Sequence, residues 1–343
     1  MFNHKHYVAV LRWRKGELAA LQKLYDRDRK IITPLIELLP GKGGGFSKII
    51  KDIGQNWGFA PFFLDLQRIS PTLRLADGSH PFVLIGKEAK SLPIKLIPVT
   101  GLGREASYQA AVASAVRANQ QGICVRVSAK ELSRSNFAAE LLNLVSYHKQ
   151  DPEQTDLIID LEVTHDSNIG YARLCRLIPH LKRWRTFTVL SGAFPKDLRR
   201  VPKNAQRELD RNDWLAWRRQ ITENKVGRKP SYGDYTIQYP NYSLPKGKPN
   251  PSASIRYTAK DYWVIMRGEA LRGDTSSGSA QYPAQALLLT ERPEFRGPKF
   301  SFGDEYIQRV SQDEKHPGNP KSWISAGINH HLTLVARQIA RLS

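Results

Sequence analysis

Along the first 200 residues, short apolar runs alternate with amphipathic stretches. YVAVLRW (7–13) is followed by KGELAALQKLYDRD, in which Leu18, Leu21 and Tyr25 recur at helical spacing. IITPLIELLP (31–40) leads through the Gly-rich GKGGG (41–45) into the helical pattern of FSKIIKDIGQNW. Further strands are predicted at 61–69, 94–102, 122–129, 155–163 and 186–194, with helices over 105–120, 136–148 and 168–182. Seven copies of one strand–helix unit, with strands that are apolar almost throughout, predict a parallel sheet covered by helices.

An eighth strand would close the sheet, and YTIQYP (235–240) and YWVIMRG (262–268) are the candidates, after a Trp-rich helix over 205–221. The expected fold class is therefore α/β, a (β/α)8 TIM-like barrel, with a doubly wound open sheet as the alternative. Beyond residue 225 the rhythm breaks into Pro- and Gly-rich stretches such as LPKGKPNPSAS and RGDTSSGSAQYP. The expectation is one domain over 1–343, with 225–322 as extended loop and strand decoration at one barrel end and a closing helix around 323–341.

Within the apolar strands, polar residues stand on one face toward the C-terminal end. Alternation puts Leu35 with Glu37, Phe63 with Asp65 and Gln67, Cys124 with Arg126 and Ser128, and Ile158 with Asp160 and Glu162. If those faces line a barrel, its top holds four carboxylates and one guanidinium, at the end where such barrels carry their chemistry. Four acids against one arginine leave about three negative charges uncompensated, at a cost of several kcal/mol each unless something replaces their hydration. Glu37, Asp65, Asp160 and Glu162 are thus the expected ligands of Mg²⁺ or another divalent metal. Three other outcomes stay open: a protonated member of the four acting as general acid, loop lysines and arginines folded over the acids, and a net in which Arg126 pairs with Asp160 and only closes the barrel.

Composition narrows the class. With 41% apolar and 9% aromatic residues the chain can bury a large core. No apolar run approaches the roughly 18 residues of a membrane span, so no membrane association is expected. The start lacks the layout of a secretory signal and there are two cysteines without metal spacing, which points to the cytoplasm. The net charge of +20, from 52 Lys and Arg against 32 Asp and Glu, favours nucleic acid or a nucleotide as partner, with an acidic protein or a merely solvated surface as alternatives.

Other signals are weaker. GKGGG lacks the spacing of a phosphate-binding loop and reads as a flexible connection. His330 and His331 are adjacent and cannot share a helix face, so at most one is a ligand or base. Trp214 and Trp217, three apart among arginines, read first as the buried stripe of a helix and second as a strand-binding surface.

The opening YVAVLRWRKGELAALQKL with ITPLIEL, the interior LDL and IIDLEV, the late GDY (233–235) and RYTAKDYWVIMRG (256–268), and the closing HPGNPKSWISAGINHH (316–331) resemble the beta protein family of T-even phages and bacteria. The resemblance spans nearly the whole chain and implies a barrel-like α/β fold and an association with phage and mobile-element genes; no catalytic residue is taken over from it. Its late segments add Asp234, Arg256, Tyr257, Arg267, Trp323, Asn329 and His330 to the residues expected at the loop-bearing end, with Trp323 and Tyr257 also readable as packing. Two functions follow. One is a metal-assisted phosphodiesterase or nuclease acting in phage–host conflict, in which Asp65, Asp160, Glu162, Arg126, Arg267 and His330 do the chemistry and Arg256 and Tyr257 hold the phosphate. The other is a non-catalytic subunit that binds nucleic acid, or a protein encoded by a neighbouring gene, through its basic surface. A bound ion among the acids marks the first; a closed net of arginine–carboxylate pairs marks the second.

Overall fold

A computed structural model describes residues 2–40, 45–168, 170–223, 227–243, 247–274 and 276–342. The turn at 41–45 lies outside them apart from Gly45. Seven strands follow in order: β1 Tyr7–Arg12, β2 Ile32–Glu37, β3 Phe62–Asp65, β4 Leu96–Thr100, β5 Ile123–Ser128, β6 Thr155–Val163 and β7 Thr186–Gly192. Each pairs in parallel with the next, and β9 (Ser231–Asp234) pairs with both β7 and β1, which closes an eight-stranded barrel. The open doubly wound sheet is excluded.

Helices α1 (Lys15–Gln22), α2 (Asp26–Arg29), α3 (Phe46–Trp57), α4 (Pro81–Lys90), α5 (Ala106–Asn119), α6 (Ala129–Leu132), α7 (Phe137–Tyr147), α8 (Tyr171–Leu177) and α9 (Asn212–Glu223) connect the strands. Their starts follow local chemistry. His80 accepts the Phe82 N–H and Pro81 supplies the first helical position of α4, while Ser128 and Glu131 form a reciprocal capping box at α6. Alternation then divides the strands. Leu11, Ile36, Leu64, Val125 and Ile159 join the layer beneath the helices, whereas Val8, Leu35, Phe63, Val99, Cys124, Ile158 and Leu190 fill the barrel interior.

Two expectations are corrected. The eighth barrel strand is neither 235–240 nor 262–268 but SYGD at 231–234, too short and too polar to show as an apolar run. The predicted helix over 205–221 begins as a strand, β8 (Ala205–Asp210), and turns helical only at Asn212. Within 225–322, β10 (Ser252–Thr258) and β11 (Tyr262–Ala270) join β8 in an antiparallel sheet of order β10-β11-β8. Helices α10 (Tyr282–Thr290), α11 (Phe302–Ser311) and α12 (Pro320–Ala340) pack with it, and this layer has its own core around Ile255, Tyr257, Val264, Met266, Leu289 and Trp323.

The long α12 joins the layer to the barrel. Asn319 caps it and Pro320 opens it. His330 and His331, although adjacent, are both buried and each meets its own acid: His330 Nδ1 lies 2.8 Å from Asp304 and His331 Nε2 lies 2.8 Å from Asp234 of β9. Asn329 receives the Gly303 N–H and donates to the Ala20 carbonyl, tying α11, α12 and α1 together. Trp214 and Trp217 are buried against Tyr232, the core stripe their spacing predicts.

Gly303 marks the tightest contact between α11 and α12, since a Cβ there would lie 2.2 Å from the Ala326 carbonyl oxygen. Backbone cannot yield as a flexible side chain does. Gly303→Ala is expected to lower stability by about 1–3 kcal/mol, the usual cost of overpacking, read as a lower urea midpoint. An unchanged midpoint would mean that the two helices are free to separate.

Candidate functional site

At the C-terminal ends of the strands the interior turns from apolar to charged. Glu37, Asp65, Arg126 and Asp160 all point inward and are buried, as alternation predicts. Arg126 is their hub. Its Nη1 donates to Glu37 at 2.8 Å and Asp65 at 2.9 Å, and its Nε and Nη2 reach one Asp160 oxygen at 2.9 and 2.7 Å. Nη2 also donates to the Tyr235 hydroxyl, which in turn donates to Asp160 at 2.6 Å. Gly101 makes room for the strand that carries this hub, because a Cβ there would meet the Arg126 carbonyl at 2.6 Å.

The charge balance differs from the expected one. Arg68, just past β3, binds Glu37 at 2.6 Å, and Arg104, in the turn after β4, approaches Asp65 at 3.4 Å and donates to Gln67 at 2.9 Å. Gln67 in turn donates its side-chain amide to Glu37 and its backbone N–H to Asp65. Three arginines therefore face three buried acids. Burial alone would raise the Glu37 carboxyl, but Arg126 and Arg68 outweigh it and hold it down at about 2. Burial would likewise weaken Arg126 as a base, and the surrounding Tyr235, Asp160, Glu37 and Asp65 reverse that and fix its charge.

Glu162 leaves the ring. Its N–H is taken by the Asp160 carboxylate at 2.8 Å, its φ is 55°, and the pairing with β7 shifts register between Asp160 and Val163. Alternation holds only as far as the ladder holds, so the Glu162 side chain turns out to the exposed rim. Ser128 spends its hydroxyl on the α6 cap.

This donor set does not fit the expected Mg²⁺ site. The three buried carboxylates already receive guanidinium N–H bonds, so a divalent ion would have to displace cations, and the fourth acid stands outside. Among the described residues there is no group of three His, Cys, Asp or Glu side chains arranged to hold a metal.

The late residues lie elsewhere. Arg267 donates to the Leu198 carbonyl at 2.9 Å and also to that of Val201. Arg256 donates to the Ile237 carbonyl and lies over Phe194, and burial lowers its guanidinium to about 10. Tyr257 stacks on His330 at 3.9 Å, and both bind Asp304. Trp323 is buried in the second core and Asp234 is taken by Tyr7 and His331. None of these side chains bonds to the ring, so the structure separates Arg256, Tyr257, Arg267 and His330 from the acids they were expected to serve.

Sequence reasoning missed Arg12, Arg68, Arg104, Tyr235 and Tyr242. Arg12 was within reach, since it shares the inward face with Val8 and Val10. Its guanidinium donates to Gln238 and to the Tyr239 and Pro240 carbonyls, folding the segment after β9 across the mouth. Arg104 and Tyr242 lie outside the predicted strands, while Arg68 and Tyr235 fall in the predicted strands 61–69 and 235–240 but past the ends of β3 and β9, where alternation no longer applies. Above the ring lies a cleft of about 660 Å³. Arg68, Arg104, Arg126, Lys130 and Arg134 line it against Asp160, Glu131 and Glu162, because Glu37 and Asp65 lie beneath the guanidinium layer. Tyr242 completes the wall, with Arg12, Arg14 and Arg68 around its ring at 5.1 to 6.0 Å.

A family model described as Beta protein matches residues 7–337. No curated protein matches the chain. No helix among the described residues is long and apolar enough to cross a membrane.

The network predicts how the acids behave when changed. Asp160→Asn leaves a buried Arg126 short of a counter-charge and is expected to cost on the order of 3 kcal/mol, measured as a fall in urea midpoint in metal-free buffer; equal or higher stability would show the acids to be repelling one another. The pH dependence has a definite sign. Glu37 titrates lower in the folded chain than its ordinary 4.5, so its contribution is complete above that pH and is lost as pH falls through about 2. Glu37→Gln should flatten that part of the stability curve.

Proposed function

The chain belongs to the Beta protein family, and on that premise we propose that it binds a phosphate-bearing ligand, nucleic acid or nucleotide, in the cleft at the barrel mouth. One observation carries this reading: five cationic side chains line the cleft against three acids, because Arg126, Arg68 and Arg104 lie over Glu37 and Asp65 and present their outer faces to the opening. A carboxylate ring that looked like a metal cage in the sequence thus supports a layer of oriented guanidinium groups.

That layer suits phosphate. Guanidinium forks match phosphate oxygens, and arginines already fixed by carboxylates lose little freedom when a ligand arrives. Among the described residues, Nη1 of Arg68 and Nη1 of Arg104 have no hydrogen-bond partner, so each keeps donors for a ligand. Arg104 is held further by the ring of Tyr108 at 5.5 Å. Lys130 on α6 and Arg134 in the turn after it extend the positive charge outward, and the Arg134–Glu140 pair is solvent-exposed and contributes little. Tyr242 supplies ring surface beside the arginines, of the kind on which a base can stack. The residues do not fit a divalent ion, so the activity proposed is binding alone.

The measurement is a titration of the whole chain with a fluorescein-labelled single-stranded oligonucleotide and with labelled ATP, followed by anisotropy over a range of salt. Binding should weaken steeply as salt rises, because each neutralised phosphate releases counterions. Lys130→Ala, on the exposed rim, should leave the melting temperature unchanged and reduce the slope of log affinity against log salt by about 1. Binding that ignores salt, or that Lys130→Ala and Arg134→Ala leave untouched, places the ligand elsewhere.

A further inference from the structure

A second cleft, of about 900 Å³, opens between the turns after β6 and β7 and the strand β8. Four consecutive residues of β8 border it: Arg207, Glu208, Leu209 and Asp210. Successive side chains of a strand leave on opposite faces. A cavity that touches all four therefore lies along the edge of the strand, not over one face. β11 occupies the other edge, pairing Arg207 with Ile265 and Leu209 with Trp263. Among the described residues no strand pairs the edge that borders the cleft.

This edge presents strand backbone, N–H and C=O in alternation, to a cavity. Across the cleft stands the turn after β7, where Phe194, Leu198 and Val201 are buried. That wall is held to the sheet from behind, by the bonds of Arg267 to the Leu198 and Val201 carbonyls and of Arg207 to the Arg200 carbonyl. The slot is thus preformed. Its charge is one-sided. Glu208 pairs with Arg292 and Asp197 with Arg199. Lys196, Arg200 and Arg207 make no salt bridge among the described residues, and of the carboxylates that line the cleft only Asp210 is likewise without one there, Lys196 lying near the already paired Asp197.

We propose that this slot receives an extended, acidic segment of a partner protein, added to the sheet as a strand beside β8. Main-chain bonds to β8 would give the segment its register, and its carboxylates would meet Lys196, Arg200 and Arg207. The alternation of donors and acceptors selects a polypeptide. A phosphodiester chain brings acceptors for the cations but no repeating donors for the β8 carbonyls. The proposal concerns a cleft separate from the one above the arginine layer and stands or falls without it.

The test uses the full chain and a fluorescein-labelled probe of alternating Val and Glu, six residues long to match β8, together with its counterpart bearing Lys for Glu. Two further versions carry N-methyl groups on the Val or on the Glu residues, since only one of the two sets can face β8. The acidic probe is expected to saturate and to slow amide hydrogen exchange at 206–210. One methylated version should lose about tenfold in affinity, the worth of two or so hydrogen bonds, while the other binds as before, and the Lys probe should not bind. The double change Lys196→Glu with Arg200→Glu, on exposed residues, should abolish binding with the melting temperature unchanged. Equal binding of both methylated probes, protection elsewhere in the chain, or no saturation below about 1 mM overturns the proposal. So does an unlabelled single-stranded oligonucleotide that protects 206–210 when the acidic probe does not, since it assigns the slot to nucleic acid.

Discussion

The barrel mouth depends on the guanidinium of Arg126. Three inward carboxylates on three strands would repel one another at the top of a closed barrel, and a charge taken out of water there costs several kcal/mol without compensation. Arg126 meets all three at 2.7 to 2.9 Å. Everything else at the mouth follows from completing that balance: Arg68 neutralises Glu37 from the turn after β3, Arg104 approaches Asp65 from the turn after β4, and Tyr235 bridges Arg126 to Asp160. Replacing a buried charge network with well-packed apolar side chains is often neutral or stabilising. The ring is better explained by what it leaves on top, an array of oriented cations facing a cleft.

Much of this was legible in the sequence wherever periodicity operates. The alternation of the apolar strands is enough to place Glu37, Asp65, Arg126 and Asp160 on one inward face, and the strand–helix repeat is enough for the barrel. Glu162 was misplaced by the same rule, because the Asp160 side chain captures its backbone N–H where the ladder shifts register. The sign of the site was misread for a related reason. Alternation holds only along the strands themselves: Arg104 sits in a turn, and Arg68 lies past Asp65, where β3 ends and the extended pattern puts it on the opposite face, so the acids were visible while the arginines that neutralise them were not.

The C-terminal third resisted for a different reason. A strand of four residues, SYGD, closes the barrel on register and main-chain bonds without an apolar signature, and the composition of β8 reads as helix until β11 pairs with it. Both are set by partners distant in sequence, which local patterns cannot report. The residues that stood out there, Tyr257, Trp323, Asn329 and the two histidines, are conspicuous because they are buried and bonded. His330, bonded to Asp304 of α11 and to the Thr258 carbonyl of β10, and His331, bonded to Asp234 of β9, fix α12 against the second layer on one side and the barrel on the other. Chemically suggestive residue types were thus spent on attaching a second layer.

That attachment shapes both clefts, because the chain that leaves β9 runs between them. Tyr235 and Tyr242 line the cleft above the arginine layer, and Tyr239 lines the slot beside β8. The carbonyls of Tyr239 and Pro240 accept bonds from Arg12, and Pro240 also accepts from Arg68. Arg12 rises from the barrel interior and Arg68 from the charged ring, so the partition between the clefts is anchored to the same charge network that closes the barrel. A wall held by guanidinium bonds to its own backbone presents its side chains at fixed positions, and preorganised surfaces lose less on binding than mobile ones. The cost of building a charged ring inside a barrel is therefore offset twice, in the cations it orients and in the partition it holds still.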